Sequence, residues 1–138
     1  MLRNLSAKIK AIQVLAPQTI TADTLSASVD CEAFGSAAFI VDVGTFSFTG
    51  SNKCAIALKV SDDNSTFVDA AAEDLYVVDG AAPVVKLLDA TGEDAQAYVI
   101  EYRGAHRYVK LNLDISGTVS IPVAVTALLG YSELLPAL

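Results

Sequence analysis

Tryptophan is absent from this 138-residue chain, histidine occurs once and cysteine twice. Each scarcity excludes something. One histidine and two cysteines cannot supply the ligand set of a structural zinc site or a disulfide framework. Cys31 and Cys54 instead continue apolar rows that alternate with period two (Leu25, Ala27, Val29, Cys31 and Cys54, Ile56, Leu58, Val60), so both read as buried free thiols acting as small hydrophobes. A Gly-rich phosphate loop and a nucleophile elbow are also missing. His106 sits beside a tight turn between Arg103 and Arg107, with no triad partner in view, and reads as a solvent-facing turn residue. The expectation is a protein that is not an enzyme and holds neither cofactor nor metal. Asp62, Asn64 and Thr66, with Glu73 in twelfth place, imitate a calcium loop in part. Phe67 stands where such a loop needs glycine, and no amphipathic helices flank it, which argues against Ca²⁺ there.

Long hydrophobic runs are missing too. Hydrophobic residues make up 53% of the chain and charged ones 18%, with a mean hydropathy of +0.47. Yet no segment offers the roughly 18 uninterrupted apolar residues of a spanning helix. The longest candidate, 119–129, contains Ser120, Pro122 and Thr126 and reads as a strand. No membrane is therefore expected. An apolar chain without a membrane span is instead expected to have part of its surface covered by another protein. Near the N-terminus, the apolar stretch 11–16 is broken by Gln13 and too short for a secretion signal, so synthesis in a cytoplasm is expected.

Positive charge is the last scarcity: nine basic against sixteen acidic residues give a net charge of −7 and a pI near 4.4. That balance argues against nucleic acid as a partner. The charge is also uneven. Residues 61–94 hold nine acids against Lys86 alone, whereas residues 1–22 hold Arg3, Lys8 and Lys10 and no acid. The split suggests a solvated acidic face and a basic arm able to meet an acidic partner.

What is present is strand after strand. Residues 1–17 read as an N-terminal arm, either a short amphipathic helix carrying Leu2, Leu5, Ile9 and Ile12 or an extended segment laid on a neighbour, ended by Pro17. Residues 18–138 read as one domain, large enough to bury its own core. In it, 24–31 alternates with Thr24, Ser26, Ser28 and Asp30 on the wet side. Residues 37–43 put Phe39, Val41 and Val43 inward, and 53–61 follows the same rule. Asp62-Asp-Asn-Ser65 is a turn, 70–75 has room for one helical turn, and 84–88 is a short apolar strand. Tyr98, Ile100 and Tyr102 share one face before Gly104-Ala105, and Val109, Leu111, Leu113 and Ile115 share one face after it. This pattern predicts a hairpin closed by a two-residue type II′ turn. Pro122 predicts an edge position or a bulge for the last strand. Eight or so short strands with scant helix predict an all-β protein, an antiparallel β-sandwich, with a jelly roll as one form of it.

Five blocks in this order carry a resemblance: Ala37-Ala-Phe-Ile-Val-Asp-Val-Gly44; Ser61-Asp-Asp-Asn-Ser-Thr-Phe-Val-Asp69; Tyr98-x-x-x-Tyr102-Arg-Gly-x-x-Arg107-Tyr-Val109; Ser116-Gly-Thr118; and Leu129-Gly-Tyr131. Together they resemble the small β-rich structural proteins that tailed bacteriophages encode near the major capsid gene. The ending, Glu133-Leu-Leu-Pro-Ala-Leu138, departs from the basic, His-Pro ending often seen in that family. The resemblance implies a virion structural protein, a decoration (cement) protein on the outer surface of the phage head, made in the host bacterial cytoplasm. It implies the major capsid protein as partner and a homo-oligomer, with a trimer favoured by threefold positions on a shell. The expected contact residues are Leu2, Arg3, Leu5, Lys8, Ile9 and Lys10 of the arm, and Arg103, His106, Arg107 and Lys110 of the hairpin. Two other readings are a neck or tail component, such as a ring or tube subunit, and a carbohydrate-binding host-recognition module. The second is disfavoured by the missing tryptophan, since sugar sites present exposed aromatic platforms.

Overall fold

Where apolar residues alternate along the sequence, the backbone runs extended and turns those residues inward, because successive side chains of a strand point to opposite faces. The structure is a computed structural model and describes residues 5–48, 51–76, 78–79, 82–90 and 92–132. Ten strands follow in order: β1 (Ile9–Ile20), β2 (Thr24–Leu25), β3 (Val29–Asp30), β4 (Phe34–Val43), β5 (Lys53–Ser61), β6 (Val68–Asp69), β7 (Val84–Leu88), β8 (Gln96–Tyr102), β9 (Tyr108–Ser116) and β10 (Ile121–Ser132). Among the described residues only two 3-10 turns interrupt them, Leu5–Ala7 and Ala72–Asp74, and the second falls where a single helical turn was expected.

The strands form two antiparallel sheets. Sheet A has the order β1-β10-β4-β8, and sheet B the order β2-β9-β5-β6, with β3 also on β9 and β7 also on β5. Counting β2/β3 and β6/β7 as two split strands leaves eight. The first then pairs with the last, the second with the next to last, and so inward to β5 with β6/β7. Nested pairs wrapped into two facing sheets are the jelly-roll arrangement. Phe39, Val41, Ile56, Leu58, Leu111 and Val125 meet between the sheets and are fully buried. Cys54 lies among them, where burial first, then the Asp114 and Asp23 carboxylates, push its thiol up to about 12. Both cysteines are free thiols.

Four expectations need correcting. The hairpin is not one: β8 belongs to sheet A and β9 to sheet B, so residues 103–107 form a crossover between the sheets. Alternation reports which face a strand buries, not which strand it pairs with. Residues 24–31 do not keep one register. Ser26 is buried and Leu25 exposed, because the chain breaks between β2 and β3 and Ala27 donates its N–H across to the carbonyl of Val14. Pro122 lies in a central strand, but at its second residue, just past the point where β4 stops pairing with β10 at Val43. A missing donor costs little there. Finally, residues 9–17 are not an arm. They are most of β1, with Val14 and Leu15 in the core, and the boundary expected at Pro17 falls inside the strand. Two register shifts against β10, at 13/15 and 15/18, each take up one extra residue, and Pro17 sits in the second. Bulges and a proline on this outer strand blunt an edge that could otherwise pair with another chain.

Candidate functional site

Antiparallel register decides which expected contact residues can meet. Ile9 pairs with Gly130, Gly130 with Ser36, and Ala37 with Tyr102, so the start of β1 and the end of β8 lie at the same end of sheet A. The crossover leaves from Tyr102 and enters β9 at Tyr108, beside Asp30 of β3 and Ser61 of β5. Lys8, Ile9 and Lys10 therefore occupy the same end of the sandwich as Arg103, His106 and Arg107, at opposite edges of sheet A. Leu5, Lys8 and Lys10 are exposed and Ile9 is half-buried, whereas Leu2 and Arg3 lie outside the described residues.

The crossover is held from both sides. Arg103 donates its N–H to the carbonyl of Asp74 (2.9 Å), and Leu75 bridges to Tyr102. The ring of Tyr102 is buried beneath the loop, and its hydroxyl accepts the N–H of His106 at 3.1 Å. Gly104 rides directly over it: a Cβ there would collide with the Tyr102 hydroxyl and the Asp74 carboxyl.

Every basic side chain of the crossover meets a partner on its own chain. Arg107 grips Asp30 with Nε (2.9 Å) and Nη2 (2.8 Å), and Nη2 also reaches Glu32 at 2.8 Å. The hydrogen bonds from Arg107 hold the Asp30 carboxyl below its ordinary value, and the same bonds raise the guanidinium. Nδ1 of His106 lies 3.1 Å from Asp62 Oδ1. The next carboxylate, Asp63, organises its turn by accepting the N–H groups of Thr66 and Ser65 and the Ser61 hydroxyl, and these bonds hold it down to about 2. Arg103 lies over the Tyr76 ring at 5.7 Å. Lys110, on the outer face of sheet B, lies 3.9 Å from the centre of Phe67.

Two shallow hollows flank Gly104. One, of about 380 Å³, is lined by Phe34, Ser36, Tyr76, Glu101 and Arg103; the other, of about 320 Å³, by Glu32, Ala105, His106 and Arg107. Cys31 borders both, and its thiol is pushed up to about 11 by burial and by Asp30, so it stays protonated at neutral pH. Among the described residues, no serine, threonine or cysteine is hydrogen-bonded to the His106 ring, and no three His, Cys, Asp or Glu side chains cluster as a metal would need. No described helix is long and apolar enough to cross a membrane.

The sequence pattern marks the basic half of this lattice and not the acidic half. Asp30 lies 77 residues from Arg107 and Asp62 lies 44 from His106, and nothing local marks such distant pairs. Models of known protein families and curated protein sequences give no match to this chain.

Proposed function

We propose that this protein is a virion structural protein, a decoration (cement) protein that binds the outer surface of a tailed-phage head and stabilises it. The observation that carries this reading is the convergence at one end of the sandwich. There the start of β1 and the crossover occupy opposite edges of sheet A, and three of the five blocks that resemble small phage structural proteins (61–69, 98–109 and 129–131) end or turn. The Arg107–Asp30–Glu32 and His106–Asp62 contacts fix these loops before any partner arrives, so docking costs little further ordering.

The mechanism is mechanical. The sandwich lies across joints between copies of the major capsid protein and resists their separation. Each contact is modest, and repetition over the shell sums them. Arg103, with its side chain over Tyr76, and Lys8 and Lys10 have no ion pair among the described residues and are the cations this reading offers to an acidic partner strip. The proposal is tested by electron microscopy of virions with a label fused to this protein. Label over the whole head supports it; label at a single vertex or along the tail overturns it in favour of a neck or tail component.

A further inference from the structure

The last strand hands the chain over at a place that is only half filled. Ser132, the last described residue of β10, pairs with Phe34, the first residue of β4. On the other side of β4, pairing with β8 ends where Ala37 meets Tyr102. Phe34, Gly35 and Ser36 therefore have β10 on one side and, among the described residues, no strand on the other. The hollow of about 380 Å³ lies along that gap. Phe34 and the exposed ring of Tyr76 form its apolar walls. Arg103, which has no ion pair among the described residues, supplies its cation. Beyond Ser132 the sequence reads Glu133-Leu-Leu-Pro-Ala-Leu138, one acid followed by five apolar residues, all outside the described residues.

We infer that residues 133–138 turn back across Phe34 and dock in this hollow of their own chain, with leucine side chains against Phe34 and Tyr76 and the Glu133 carboxylate on Arg103. Reach, tether and charge choose this occupant. Strands about 4.8 Å apart, rising about 3.3 Å per residue, put the Cα of Ser132 about 12 Å from that of Arg103. Six extended residues span up to about 20 Å, so the segment reaches the hollow with length to spare for a turn. A segment tethered this close has an effective concentration on the order of millimolar, which a second copy in dilute solution does not match. Glu101, the hollow's own acid, lies two residues farther from Ser132 along β8, so Arg103 is the first charge the segment meets. A carboxylate on a guanidinium among apolar walls makes a strong charge-assisted pair. On the head-binding reading, an acidic partner strip competes with Glu133 for Arg103 and makes the segment a displaceable cap; the docking itself does not depend on that reading.

Cys31 borders the hollow and reports whether it is covered, while the fully buried Cys54 stays silent. The test compares the rate of Cys31 alkylation in the purified full chain with that in a chain ending at Ser132, at one pH. Removing residues 133–138 should raise the rate about fivefold. Arg103→Glu should raise it in the full chain and leave it unchanged in the shortened one. A second measurement keeps the chain whole: oxidation of Leu135→Cys should join the introduced thiol to Cys31 within one chain, as read by non-reducing electrophoresis and peptide mass. Equal alkylation rates with and without the segment overturn the inference. So does oxidation that leaves Cys31 reduced, or that links it only to a second chain.

Discussion

Ser26 shows how a single polar atom fixes a junction. Its hydroxyl is buried, accepts the N–H of Leu111 at 2.9 Å and donates to the carbonyl of Ala27. Removing it strands a buried N–H, so Ser26→Ala should cost about 1–3 kcal/mol in urea unfolding, more than its lost contacts suggest. Carboxylates set the pH response. Asp63 is held down to about 2 and Asp30 is lowered, against about 3.9 in an unfolded chain. Depressed carboxylates contribute stability above their unfolded pKa and lose it as pH falls through the folded value. The melting temperature should therefore drop between about pH 4 and pH 2, and Asp63→Asn should flatten that limb. Asp114 has the opposite sign. Burial, then its neighbour Asp23, raise it, so its ionised form opposes folding at neutral pH. Asp114→Asn should raise the melting temperature at pH 7, and an unchanged value would remove this account of the Asp23–Asp114 pair.

At the scale of elements, the crossover 103–107 carries the clearest test of close packing. Gly104→Ala forces a methyl group against Tyr102 and Asp74 and should cost about 1–3 kcal/mol in thermal unfolding. Gly92, at φ +93°, has open space within 4 Å of where a Cβ would stand and meets only backbone strain, so Gly92→Ala should cost about 1 kcal/mol. Removal of residues up to 17 takes Val14 and Leu15 out of the core and should abolish cooperative unfolding, which a dispensable arm would not do. These elements also mark what is legible in the sequence. Val109, Leu111 and Leu113 alternate cleanly, and their strand and its inward face follow from that alone. The same alternation in Tyr98, Ile100 and Tyr102 suggests the wrong partner, because β8 pairs with β4 and hydrophobic period is blind to pairing. In β1 the bulges place Val14 and Leu15 side by side in the core, and no period-two reading survives that. The crossover's charges are visible in the sequence, but their partners come from loops distant along the chain.

Over the whole molecule, charge is partitioned by surface. At one end Arg107 and His106 lie against acids while Arg103, Lys8 and Lys10 have no ion pair among the described residues, the outer face of sheet B carries lysines with Asp69 and Asp114, and the outer face of sheet A is almost uncharged. A jelly roll hosts many functions and does not select one. The proposed role rests on the ordered sequence blocks and on the end where they gather. The most direct measurement is the heat resistance of phage heads assembled without this protein, compared before and after the purified protein is added back. The account predicts saturable binding and a higher temperature of head rupture; heads that bind none of it, or rupture at the same temperature when fully loaded, would contradict it.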